Sequence, residues 1–163
     1  MIVSMTNSTR GLGKELSKRF DKVVDGWDTD SDVFINIRHN SFKQTETLMH
    51  AFNKWRYEKK TIVNIISRSK YPNISKGYLY SASKAALSQL SNNLRLLSDK
   101  KCRIIDINPG LLESNLPSLS YKEVADTIEY CINLPFHIEI GELSIWHNTP
   151  YNIVSKLKDE RKN

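Results

Sequence analysis

Cysteine is nearly missing from this chain. Only Cys102 and Cys131 occur in 163 residues, neither adjacent nor in CxxC spacing. That count argues against a disulfide framework and reads as reduced thiols in a cytoplasmic protein. His39, His50, His137 and His147 show no HxxxH or HExxH spacing, so no metal site is expected, and no GxSxG elbow accompanies them. Charged or polar residues interrupt every apolar segment, which leaves neither a membrane-spanning run nor a signal peptide to expect. Internal repeats and low-complexity linkers are missing as well. Acid is in deficit, with 18 Asp and Glu against 24 Lys and Arg, for a net charge of +6.

What is present suits one compact domain. The length, with 39% hydrophobic residues, is enough to bury a real core. Strand-like and helix-like patterns alternate, which predicts an α/β fold with a parallel sheet. We expect a domain over residues 1–155 and a charged tail over 156–163. The positive charge admits a basic nucleic-acid-binding module. However, Lys54, Arg56, Lys59, Lys60, Lys100 and Lys101 are scattered instead of forming one stripe interleaved with aromatics.

The chemistry-bearing stretch is Tyr80-Ser81-Ala82-Ser83-Lys84. A phenol and an ammonium four residues apart project from one helix face, one turn apart. A nearby cation favours the phenolate, drawing a group with an ordinary pKa of about 10 toward neutral pH. Upstream, Thr61 to Ile66 is a β-branched run that reads as a buried strand ending at Ser67, thirteen residues before Tyr80. In an open parallel sheet the carboxyl ends of strands line the ligand crevice, so a hydroxyl there faces the same cleft as the next helix. Downstream, Cys102 to Asn108 reads as another strand, followed at once by Pro109-Gly110.

Glycine is scarce, six in all, yet Gly11 and Gly13 fall together. They lie in Thr6-Asn7-Ser8-Thr9-Arg10-Gly11-Leu12-Gly13, after the strand pattern Ile2 to Met5. Two glycines allow close approach of a pyrophosphate, and a helix beginning near Leu12 offers free N–H groups and the positive end of its dipole. Leu12, Leu16 and Phe20 give that helix an apolar stripe.

Taken in order, these segments resemble the short-chain dehydrogenase/reductase family. Ser67 and Tyr80 to Lys84 resemble its Ser and YxxSK helix. Pro109 to Ser114 is similar to its PGxxxT turn, with Ser for Thr, and Thr6 to Gly13 to its TGxxxGxG loop, with Asn7 for the first Gly. Asp32, Val33 and Asn36 match part of the strand that ends in NNAG, with Ile37-Arg38-His39 replacing the remainder. Asn40 lies nearest the family's catalytic Asn; an equal alternative is that it caps the helix over Phe42 to Lys59.

The resemblance implies a truncated, Rossmann-like doubly wound sheet of five to six strands, helices on both faces, with part of the adenosine-side half missing. Relatives carry two further strands between the glycine loop and the NNAG-like strand; here Val23 to Asp25 is either a short edge strand with an extended exit or no strand. Asp28 to Ser31 span roughly 14 Å, too little for the crossover on their own. Trp27 either covers adenine or fills core.

The activity implied is hydride transfer between NADP(H), or NAD(H), and a small carbonyl or alcohol. Tyr80 is then the general acid/base, Lys84 lowers its pKa and holds the nicotinamide ribose, Ser67 steadies the substrate oxygen, and Asn40 anchors a water to Lys84. Thr6, Asn7, Ser8, Thr9, Arg10, Gly11, Leu12, Gly13 and Asn36 hold the cofactor, and Pro109, Gly110, Leu112 and Ser114 orient its carboxamide. Arg10 favours a 2′-phosphate, whereas Asp25 and Asp28 lie near the position of a ribose-binding acid. The family implies a homodimer through the Tyr80 helix and the preceding one. The alternative is a degenerate, non-catalytic relative that binds dinucleotide, or no cofactor at all, and serves as a binding or interaction protein.

Overall fold

The computed structural model describes residues 1–72 and 77–149. Six strands, β1 (Ile2–Met5), β2 (Lys22–Asp25), β3 (Val33–Asn36), β4 (Thr61–Ile65), β5 (Arg103–Pro109) and β6 (Glu142–Ile145), form one sheet in the order β2-β1-β3-β4-β5-β6. Every pairing is parallel. The chain winds one way from β1 to β2 and the other way from β3 onward, so its switch point lies between β1 and β3. The expected tail, 156–163, lies outside the described residues, as do 150–155 of the expected domain.

Alternation along the strands supplies both helix layers. Val3, Met5, Val33, Ile35, Val63, Ile65, Ile105 and Ile107 bury against α1 (Gly11–Ser17) and α4 (Tyr121–Asn133). Phe34, Ile62 and Ile104 bury against α2 (Lys43–Trp55) and α3 (Tyr78–Arg95) on the other face. Each such side chain contributes about 1.5–3 kcal/mol through burial, and a one-residue slip would exchange the two sets. Leu12 and Leu16 lie on the buried side of α1, and Phe20, past the helix end, packs on the same core. On α3, Leu87 and Leu94 are buried with Leu90 against them; Leu97 lies beyond the last turn and is exposed.

Val23 to Asp25 belongs to a strand, β2, paired in parallel with β1 from Ile2↔Lys22 to Met5↔Asp25. Of the two alternatives, the short edge strand with an extended exit is therefore the one the structure takes. The crossover that four residues could not make is made by seven, Gly26 to Asp32, without a helix. At about 3.3 Å per residue this strap reaches roughly 23 Å. Gly26 N–H donates to the Met5 carbonyl (2.8 Å) at the carboxyl end of β1, and Asp32 N–H to the Ile2 carbonyl (2.9 Å) at its start. Gly26 turns the chain at φ 90°, where an L side chain is strained. Trp27 then lies edge-on to Phe34 (centroids 5.0 Å) and against Trp55 (4.5 Å), filling core on the α2 side. The indole of Trp55 donates to the Thr29 carbonyl (3.0 Å), fixing the middle of the strap.

Helix ends follow local chemistry. Ser120 and Glu123 form a reciprocal capping box that starts α4. α2 starts at Lys43 after Phe42, with no side-chain cap, so Asn40 is not its capping residue; the Asn40 backbone carbonyl accepts from Lys43 N–H (2.9 Å). The helix expected over Phe42 to Lys59 ends at Trp55.

Candidate active site

Loops from the carboxyl ends of β1 and β3 flank the switch point. Thr6, at the end of β1, accepts hydrogen bonds at Oγ1 from the N–H groups of Ile37 and Arg38 (both 2.9 Å), clamping the two loops together. Asn7 takes φ 67° and Gly11 φ 52°, so the loop keeps its left-handed turn with Asn in place of Gly. Gly13 lies so close to the Asn7 carbonyl that a Cβ would overlap it. Its glycine thus lets the helix pack on its own loop; the ligand is not what demands it. Arg10 precedes α1 with no side-chain cap, and the first-turn N–H groups of a helix have no partner within it. Two left-handed residues, a close-packed glycine and an uncapped helix start fit a pyrophosphate. Tyr121, from the start of α4, sets its hydroxyl against Gly11, 3.2 Å from where a Cβ would be.

Asp25, at the end of β2, accepts at Oδ1 from the N–H of Ser8 (2.9 Å) and from its hydroxyl. These bonds hold the carboxyl below its ordinary pKa, with the Arg38 charge adding to them. Arg10 and Arg38 are both exposed.

Lys84 sits on the inner face of α3 and is only 3% exposed. Its ammonium donates to Oε1 of Gln44 (2.6 Å) and to the carbonyl of Ile65 at the end of β4 (2.9 Å). Burial lowers its pKa to about 8. The Tyr80 ring, 37% exposed, lies with its centroid 5.5 Å from the same nitrogen. His39 packs edge-on against that ring (4.6 Å), and burial, then the charge of Lys84, holds its imidazole below the ordinary pKa. Ser67 is two residues beyond the carbonyl that binds Lys84 and caps the single 3₁₀ turn Arg68–Lys70, accepting from Ser69 N–H (3.0 Å).

Below these groups lies a polar rung. Asn36, Asn64 and Asp106 are in register across β3, β4 and β5 and face the α2/α3 layer. The Asn36 amide donates to the Gln44 backbone carbonyl (2.8 Å) and to Asn64 Oδ1 (3.2 Å); Asn64 donates to Ser91 Oγ and Asp106 Oδ1 (both 3.0 Å). Arg95 closes the row on Asp106 (3.1 Å). Burial pushes the Asp106 carboxyl up, against the opposing pull of Arg95, of Asn64 and of Ser91, whose hydroxyl donates to Oδ1 (2.9 Å).

Tyr80 and Lys84 are thus brought together, with Ser67 on the adjoining strand end. Asn36 is committed beneath the cleft instead of lining it. Asn40 is exposed on the approach to α2. Pro109 ends β5, and Gly110 N–H donates to the Ile145 carbonyl (2.8 Å). The loop holding Leu112 and Ser114 folds on itself through paired backbone bonds, Glu113 to Leu119 and Leu119 to Leu111 (both 2.9 Å). Sequence reasoning missed Gln44 and His39. Gln44 left a readable trace: it stands in the stripe Gln44, Leu48, Ala51, Trp55, where a buried amide must have partners. His39 left none beyond following the NNAG-like strand.

The fold defines a class, the doubly wound parallel-sheet proteins, and its helix α3 pairs a Tyr with a Lys. The match to short chain dehydrogenase over residues 28–124 makes the assignment particular: the chain belongs to that family. An uncharacterized oxidoreductase of Staphylococcus saprophyticus is 27% identical over 132 residues, covering 75% of this chain and 54% of the relative. The chain thus spans a little over half the length of that curated relative. Among solved structures, serine dehydrogenase from Escherichia coli matches with TM-score 0.73 at 21% identity, over 93% of this chain and 100% of that one. A short chain dehydrogenase from Burkholderia cenocepacia in complex with NADP matches with TM-score 0.74 at 17% identity, over 99% and 94%. At such identities these two share the fold.

Proposed function

We propose that the chain is a cytoplasmic oxidoreductase acting with NADP(H), or alternatively NAD(H), on a small carbonyl or alcohol. The observation that carries this is Lys84, a buried amine held by two neutral acceptors with the Tyr80 ring beside it. The nicotinamide would supply or accept the hydride. Tyr80 gives or takes the proton on the substrate oxygen, Lys84 holds a charge against the phenol, and Ser67 steadies that oxygen. Residues Thr6 to Gly13 form the pyrophosphate cradle. Leu112 and Ser114 orient the carboxamide.

Arg10 and Arg38 support the phosphorylated cofactor, and the NADP-bound Burkholderia protein agrees; Asp25, within reach of the Arg38 charge, supports the alternative. The homodimer would form through α3 and α2, where Tyr78 and Leu79 are exposed in the first turn of α3. One observation favours the branch of the alternative in which no cofactor binds: the Ser8 N–H, a donor of the cradle, is already bonded to Asp25.

Fluorescence titration with NADPH and NADH, followed by turnover assays on simple carbonyls, tests the proposal. NADPH should bind more tightly, and Tyr80→Phe should lower turnover by about 10²-fold or more while leaving the cofactor Kd unchanged. Binding without turnover in the native protein would establish the non-catalytic reading. Failure of both cofactors to bind at millimolar concentration would overturn the enzyme.

A further inference from the structure

Lys84 is enclosed by dipoles. α2 presents the Gln44 amide, β4 the Ile65 carbonyl, the loop after β3 the His39 ring, and its own helix Tyr80. Among the described residues, no carboxylate forms an ion pair with it. Two of its three N–H bonds are therefore directed by fixed acceptors, and the third position remains.

Gln44 is itself immobilised. Its Nε2 donates to the Asn36 carbonyl (2.8 Å) and the Ile65 carbonyl (3.2 Å), and its own backbone carbonyl accepts from Asn36 Nδ2. A flipped amide would set an NH₂ group against the ammonium and an oxygen against two carbonyls. Only one orientation satisfies every partner, so Gln44 Oε1 points permanently at Lys84.

We infer that Gln44 is the positioning residue for Lys84, occupying directly the role that the family resemblance gave to Asn40 and a water. By holding the amine from below together with Ile65, it directs the remaining N–H, or the lone pair of the neutral amine, toward Tyr80 and the cleft. The row of Asn36, Asn64 and Asp106 under it makes the support rigid. The side chain of an Asn at position 44 would be one methylene too short to keep this contact.

The catalytic consequence rests on the oxidoreductase reading, but the contact itself can be tested without it. In cofactor-free protein labelled at lysine Cε and Nζ, NMR titration follows each ammonium, and loss of one signal in Lys84→Arg assigns Lys84. Gln44→Glu should move its midpoint upward by about one pH unit or more, because a carboxylate replaces a neutral acceptor at the same distance. Gln44→Leu should move it downward, since the charged form loses an acceptor. Asn40→Ala should leave it in place.

With NADPH, the pH profile of kcat should shift upward in Gln44→Glu with little change in cofactor KM; a merely structural role would depress kcat at all pH values without moving the profile. An unmoved midpoint in both Gln44 variants, or an equal shift in Asn40→Ala, would overturn the assignment. Absence of turnover in the native protein would instead refute the oxidoreductase and leave the NMR result standing.

Discussion

At the scale of single residues, Gly13 and Lys84 set the sharpest expectations. Gly13→Ala drives a methyl group into the backbone carbonyl of Asn7, where no flexible side chain can yield. Overpacking of this kind costs about 1–3 kcal/mol or more, so the melting temperature should fall together with NADPH affinity. Lys84 ties stability to pH. Its pKa of about 8 lies below the ordinary 10.5, so the unfolded chain holds the proton more tightly. The destabilisation is full below the lower value, fades as pH rises between the two, and is gone above the upper one. At neutral pH it amounts to roughly 3 kcal/mol. Denaturant titrations from pH 7 to 10 should therefore show the native protein gaining on Lys84→Met across that window. Parallel curves would show that the amine is not desolvated.

At the scale of elements, the strap and the helix starts carry the predictions. Trp27 does the covering work of a missing crossover helix, so Trp27→Ala should cost about 3–5 kcal/mol, measured by urea denaturation. Ser120→Ala removes half of a capping box and should cost about 1 kcal/mol. Most elements were legible because their signals are local: β-branched runs fixed β4 and β5, and the spacing of Leu87, Leu90 and Leu94 fixed α3. The strap was legible only as one of two alternatives, because an aromatic residue in a polar connection does not announce that it will replace a helix. Within the site, Tyr80 and Lys84 could be read from one turn of helix. Gln44 could be read as a buried amide but not its partners, nor the rung, since groups 8 to 42 residues apart meet only once the strands are in register.

At the scale of the whole molecule, the excess charge is distributed. Arg56 pairs with Asp99, Lys60 with Glu58 and Lys100 with Glu139, so three of the scattered cations spend their charge internally. Weak binding to generic DNA, lost by moderate salt, is the expected result of a filter-binding assay. Light scattering should give twice the chain mass if α3 and α2 pair two copies. The sheet itself is uneven. β2 is four residues long, hydrogen-bonds to β1 alone, and leaves through a strap, whereas the middle strands are flanked on both sides. In deuterium exchange its amides should lose protection first, well before those of β4. Because Asp25 on that strand grips Ser8, each transient opening would release the cradle, making ligand entry a fluctuation of the sheet margin instead of a movement of a lid.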